Sequence, residues 1–159
     1  MNPLPKHLRP RWRYLVAGLE TWPDASFEAV DFQRSLWFAA QNLYGDAGSA
    51  EADLRVISFA HEEGTGHAIV RTRRGSVDSA RAALACVSAV REDPVRVTVR
   101  GVSGTIRAAE EKYIGGPTEP TEEESVVFRS VARRAVCRDG LLDVDVEGTF
   151  VGATRLDIS

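Results

Sequence analysis

The 159-residue chain is short of several residue types, and each shortage narrows the possible chemistry. Cysteine occurs twice, as Cys86 and Cys137, with no CxxC pair and no paired histidine nearby. Neither a disulfide framework nor a zinc site is indicated, and both are expected to act as small buried apolar residues. No apolar run approaches the ~18 residues that a membrane span needs. The amino terminus carries Lys6, Arg9, Arg11 and Arg13 but lacks the apolar stretch and cleavage site of a secretory signal. A soluble, cytoplasmic protein without a membrane association is therefore expected. There is no internal repeat and no extended low-complexity tract. With 43% hydrophobic and 27% charged residues, the length suits one globular domain with or without an appendage.

Lysine is also scarce: of 20 basic residues only Lys6 and Lys112 are lysine. Arginine is the better fork for paired phosphate contacts, although a GC-rich genome or a salt-loving host produces the same bias. The net charge of −3 hides an asymmetry. Residues 1–116 hold 15 basic and 14 acidic side chains, whereas residues 117–159 hold 5 and 9, which allows a basic face on the body and an acidic tail.

From Arg11 to Glu20, Tyr14 and Val16 alternate with Leu15, Ala17 and Leu19, which predicts a strand apolar on both sides and hence interior to a sheet. Phe32, Leu36, Ala39 or Ala40, and Leu43 recur at helical spacing, with Ser26 or Asp31 to cap the start and Gly45 to end the helix. Asp53–Ala60 and His67–Arg74 read as a hairpin around Glu62–Gly66. Ser76 opens a second helix with the stripe Val77, Ala80, Leu84 and Val87, and Pro94 opens a strand with Val95, Val97 and Val99 on one side. The succession matches an α+β, ferredoxin-like or RRM-like βαββαβ sandwich with a four-stranded antiparallel sheet.

A third helix is expected from Ser103 or Thr105 to Gly115-Gly116-Pro117. Tyr14, Val16, Ile57 and Phe59 are apolar on the side away from the first two helices, so this third helix or a protein partner must cover that face. Tyr14, Val16, Ile57, Phe59, Ile106 and Tyr113 are accordingly candidates for partner binding. Leaving four such side chains wet would forgo about 1.5 to 3 kcal/mol each. Thr118–Glu124 reads as an acidic linker, Ser125–Arg138 as a short helix with Val127, Val131 and Ala135 aligned, and Leu142 to Val151 as a small terminal hairpin. The expected domains are thus a body over 1–116 and an acidic linker with a carboxy-terminal extension over 117–159.

No catalytic constellation emerges. His7, His61 and His67 lie away from any recognisable nucleophile, and a metal hydrolase would have to assemble His61 and His67 with Glu62 or Glu63 at a hairpin tip. Glu110 and Glu111 are neighbours on a helix, pointing about 100° apart, and cannot share a substrate. Gly101-Val102-Ser103-Gly104-Thr105 is a glycine-containing turn into a helix, where free backbone N–H groups can hold an anion, with Arg100, Arg107 and Lys112 close in sequence. Arg9, Arg11 and Arg13 alternate with Pro10, Trp12 and Tyr14, and a strand ends Arg71-Thr72-Arg73-Arg74. Such clusters neutralise phosphates and stack bases. His67–Arg74 lacks the aromatic pair of a standard RNA-recognition motif.

Several segments carry a family likeness: Leu4-Pro5-Lys6-His7-Leu8-Arg9-Pro10-Arg11-Trp12-Arg13-Tyr14-Leu15, Gly45-Asp46-Ala47-Gly48, Val70-Arg71 followed by Ala80-Arg81-Ala82-Ala83-Leu84, and Val102-Ser103-Gly104-Thr105-Ile106-Arg107 continuing to Tyr113. Together they resemble the archaeal ribonuclease P protein component 2 family over about residues 4–114, and the arginine-rich composition resembles a halophilic member. The resemblance implies a non-catalytic subunit of the ribonucleoprotein that removes the 5′ leader from precursor tRNA. It implies that Mg2+ sits at the catalytic RNA and that this chain binds no cofactor. It further implies pairing with ribonuclease P protein component 3, self-association within a heterotetramer, and contact with precursor tRNA through the holoenzyme. Candidate RNA contacts are Lys6, Arg9, Arg11, Arg13, Arg71, Arg73, Arg100, Arg107 and Lys112. The rival reading is a ferredoxin-like module that binds a small ligand or dimerises through its sheet.

Overall fold

The computed structural model describes residues 11–114, 122–138 and 141–158 and has an α+β architecture. β1 (Trp12–Thr21) lies at the middle of an antiparallel sheet ordered β2-β3-β1-β5-β4, where β2 is Arg55–Glu62, β3 Thr65–Arg73, β4 Ala89–Val90 and β5 Asp93–Ser103. Its central place follows from its side chains: Leu15, Val16, Ala17 and Leu19 are all buried, which only an interior strand with both faces covered allows. The expected four-stranded sheet is corrected to five strands. β4 has two residues, too few to leave a periodic signal, and turns into β5 through Arg91 at φ 57°.

α1 (Ala29–Ala52) and α2 (Val77–Ala85) cover one face, and Leu15, Leu19, Phe32, Leu36, Val70 and Leu84 form the main core between them and the sheet. The amino terminus of α1 is closed by a reciprocal capping box between Glu28 and Asp31, in which Glu28 N donates to Asp31 Oδ2 at 2.9 Å. Gly45, at φ 71° and ψ −179°, breaks the helix as its position predicts, but a further turn resumes and runs to Ala52. Leu43 is left exposed at that break and is not part of the stripe. Cys86, expected to be buried, is exposed just past the end of α2, and Cys137 is half-buried.

The carboxy-terminal segment differs most from expectation. Ser125–Arg138 is not a helix: β6 (Glu122–Phe128) and β7 (Val131–Arg138) pair antiparallel, followed by β8 (Leu141–Val146) and β9 (Thr149–Ala153), in a second sheet ordered β6-β7-β8-β9. The β8–β9 hairpin is the expected one. Of the expected linker Thr118–Glu124, Glu122, Glu123 and Glu124 belong to β6, and residues 118–121 lie outside the described residues. Val126, Phe128, Ala135, Leu142 and Val144 give this sheet its own apolar cluster.

The second sheet sits against the first through mixed contacts. Arg96 donates from Nε to Asp143 Oδ1 at 2.7 Å, and hydrogen bonding to that carboxylate raises the arginine's already high pKa. Arg134 bridges Glu123 and Asp24 while its guanidinium lies 4.1 Å from the Trp22 ring centroid. The Arg134 hydrogen bond holds Asp24 below the usual carboxylate range. Trp22 meets Phe150 edge to face at 4.9 Å.

Candidate nucleic-acid interface

α3 (Ile106–Tyr113) lies across the sheet face opposite α1 and α2. Thr105 starts it, its Oγ1 accepting from Ala108 N at 3.1 Å. Its Ala109 is fully buried against Val16 and Ile69 of the sheet, ringed by Tyr14, Ile57, Tyr113 and Ile114. The cover that the doubly apolar strand requires is therefore supplied within the chain.

Of the six candidate partner-binding residues, Tyr14, Val16, Ile57 and Tyr113 belong to this seam, and Ile106 is 42% exposed at the start of α3. Phe59 lies on the other face, between Phe27 and Phe32 at ring distances of 6.0 Å each, which corrects its expected placement beside Ile57. The cause is a β-bulge. Val56 pairs with Val70 but Ser58 pairs with Ile69, so Ile57 is an extra residue and the alternation changes phase after it.

Two glycines make flat seats on the α3 face. A β-carbon at Gly101 would collide with the Tyr113 ring, and one at Gly18 would meet the Arg100 guanidinium. Arg100 is itself the extra residue of a second bulge, since Val16 pairs with Gly101 and Ala17 with Val99.

The candidate RNA contacts fall into three groups. At one end of β1 and β3, Trp12 pairs with Arg73 and Tyr14 with Arg71; the Arg71 and Arg73 guanidinium carbons lie 3.9 and 5.1 Å from the Trp12 ring centroid. Arg13 Nη1 donates to Trp12 O at 2.9 Å, Arg11 is exposed alongside, and Arg73 is 3.6 Å from Asp53. On α3, Arg107 forms an exposed pair with Glu111 at 3.0 Å, which costs little to open, and Lys112 lies 5.5 Å from the Tyr113 ring. Arg100 stands apart over Gly18. Lys6 and Arg9 lie outside the described residues. Arg55, which no motif singled out, pairs with Arg71 across β2 and β3.

The two histidines on the hairpin do not meet. His67 pairs with Ala60 and His61 with Gly66, so the imidazoles point to opposite faces. His61 stacks on Phe27 at 4.6 Å and its Nε2 is 2.8 Å from Thr21 Oγ1. Burial lowers the pKa of both histidines; Asp93 partly offsets this at His61, and at His67 Arg100 lowers it further while Glu110 opposes. Their folded values thus lie below the ordinary 6.5, and the unfolded chain binds more protons just beneath that pH. Stability is expected to be full above about pH 6.5 and to fall as the pH drops through the folded values. Denaturant midpoints measured from about pH 8 to about pH 5 should show this loss, and His61→Gln should flatten it. A midpoint flat over that range would refute it. Among the described residues, no group of three or more His, Cys, Asp or Glu side chains is placed to hold a metal ion. No described helix is long and apolar enough to cross a membrane.

Residues 13–114 match the sequence profile of the Rpp14/Pop5 family. A protein of Haloarcula marismortui named "Ribonuclease P protein component 2" is 59% identical over 159 residues, covering 99% of both chains. One of the same name from Natronomonas pharaonis is 59% identical over 99% of this chain and 98% of its own. A third, from Methanosarcina mazei, is 32% identical over 72% of this chain and 93% of its own. A chain in a cryo-EM structure of yeast ribonuclease MRP superposes with a TM-score of 0.46 at 17% identity, over 63% of this chain and 79% of that one.

Proposed function

The chain belongs to the Rpp14/Pop5 family, and from that premise we propose that it is a protein subunit of ribonuclease P that binds and braces the catalytic RNA. The observation that carries this reading is end-to-end similarity, tail included, to proteins named as ribonuclease P components. The arginine display on and beside the α3 face supports it physically. Guanidinium groups offset phosphate repulsion in a folded RNA and lower its need for magnesium. On this reading the cleavage chemistry belongs to the RNA, with its metal ions, and the chain contributes contacts alone. Component 3, a second copy of this chain and, through the holoenzyme, precursor tRNA are the further partners, in the cytoplasm. The body over 1–116 carries the RNA contacts and the extension over 117–159 keeps the surface hydrated.

High salt bears on how such contacts work. Binding by counterion release falls steeply with ionic strength, so contacts that survive in a salt-rich cell need stacking and fixed hydrogen-bond geometry. Arg71 against Trp12 has that character. The test is capture of the tagged full-length chain from native cells followed by RNA sequencing. A structured catalytic RNA and component 3 should copurify, and withdrawing the chain from a reconstituted enzyme should raise the magnesium required for leader removal. Absence of that RNA, or undiminished cleavage without the chain, would refute the proposal.

A further inference from the structure

A pair of like charges sits where a sheet would ordinarily avoid one. Arg55 on β2 and Arg71 on β3 are direct cross-strand partners, an arrangement that is destabilising when nothing neutralises it. Among the described residues neither has a carboxylate within ion-pair distance. The Nε of Arg71 is buried and meets no hydrogen-bond acceptor there. A positive group so placed is stabilised by an incoming anion.

Each of the two guanidinium groups is also laid on a tryptophan. Arg71 is 3.9 Å from the Trp12 centroid, and Arg55, on the edge strand, is 5.7 Å from the centroid of Trp37, which is 41% exposed on α1. Hydrogen bonds fix the backbone around both. Gln33 and Trp37 donate to Leu54 O at 3.2 and 2.9 Å, Val56 N donates to Gln33 Oε1 at 2.6 Å, and Thr72 Oγ1 donates to Ala52 O at 2.7 Å. These bonds flank Arg55 and Arg71 in sequence and hold the strip rigid.

We propose that the strip Trp12–Arg71–Arg55–Trp37 is a binding track for unpaired RNA, with phosphate taken by the two arginines and bases stacked on the two indoles. This alternation of cation and π-face fits single-stranded RNA, whose bases are free to splay, better than a duplex. The inference rests on the RNA-binding reading above, which already contains Arg71 and Trp12, and adds to it Arg55, Trp37 and a preference for single strands. It explains why a like-charge pair is retained: the pair costs stability in the free protein and gains a counter-charge in the complex.

The test uses the full-length chain with an oligouridylate of about twelve nucleotides, within the span of a single-module site, and a blunt RNA duplex of the same length. The single strand should quench tryptophan fluorescence more than the duplex does. Trp12→Phe with Trp37→Phe should remove the quenching, because Trp22, the third tryptophan, is buried against Phe150. Arg55→Gln should weaken binding about tenfold and make the salt dependence shallower by about 0.7. The same substitution should raise the melting temperature by roughly one to two degrees, a change of sign that a merely structural arginine would not show. Arg81→Gln, an exposed arginine on α2, is the control. Equal losses in the two variants, or competition by polyglutamate as effective as by oligouridylate, would overturn the proposal. So would no binding of the single strand while the catalytic RNA still copurifies, an outcome that leaves the family function standing.

Discussion

Replacing Ala109 with aspartate should strip α3 from the sheet. Ala109 is fully buried in an apolar cluster with Val16 and Ile69. An uncompensated carboxylate there costs about 3 to 5 kcal/mol, comparable with the apolar burial that an eight-residue helix contributes by lying down. The cheaper response is release of α3 with the five-stranded sheet and its two covering helices intact. The denaturant midpoint should fall, amides of Ile106–Tyr113 should lose exchange protection, and a hydrophobic dye should bind the uncovered Val16 and Ile69. Retained protection across α3 at wild-type stability would show that the helix is not the cover described here. Release also removes Arg107 and Lys112 from the sheet face, so catalytic-RNA affinity should drop in the same variant.

Neutralising Arg71, Arg73, Arg100 and Arg107 together, each to glutamine, should produce the largest functional effect. If each neutralises about one phosphate, affinity for the catalytic RNA should fall on the order of 10²-fold at moderate salt, and the log–log salt slope should become shallower by about 3. Leader removal in a reconstituted enzyme should then need more magnesium, while the melting temperature should not fall, since losing one charge of the Arg55–Arg71 pair offsets the lost stacking on Trp12. A magnesium requirement identical to wild type would exclude these four as the bracing contacts. Loss of activity with loss of folding would be visible in the melting curve and would mean the same.

Local chemistry made much of the body legible in the sequence. β1 announced its central position because both of its sides are apolar, α2 followed from its stripe, and of the two expected starts of α3, Ser103 and Thr105, it is Thr105 that caps the helix. The errors have local causes too. Val127, Val131 and Ala135 satisfy a helical spacing, but Glu124, Val126 and Phe128 also alternate, and what decides between them is the tight turn at Arg129-Ser130. Both turn residues adopt positive φ, 53° and 64°, a conformation usually signalled by Asn or Gly, so the hairpin had no compositional mark. Phe59 was misplaced for a similar reason: a bulge leaves no trace in a stretch that still reads as apolar. For the site, charged residues could be nominated from clustering, but Arg55 could not, because its meaning comes from standing opposite Arg71. Nor could Arg96 and Arg134 be recognised as cations already engaged by acids of the second sheet.

The two bulges have a consequence for how copies of this chain behave side by side. β2 forms one rim of the first sheet, and the extra residue at Ile57 interrupts its run of outward amides. Toward the opposite rim β5 carries Pro94 and the extra residue at Arg100, is paired by β4 at only two positions, and has the second sheet stationed against it through Arg96. Neither rim presents the long, flat ladder that a neighbouring polypeptide could extend. Copies of this chain at high local density are thereby hindered from zipping together through the first sheet, a safeguard written into backbone irregularities rather than into solubilising charge.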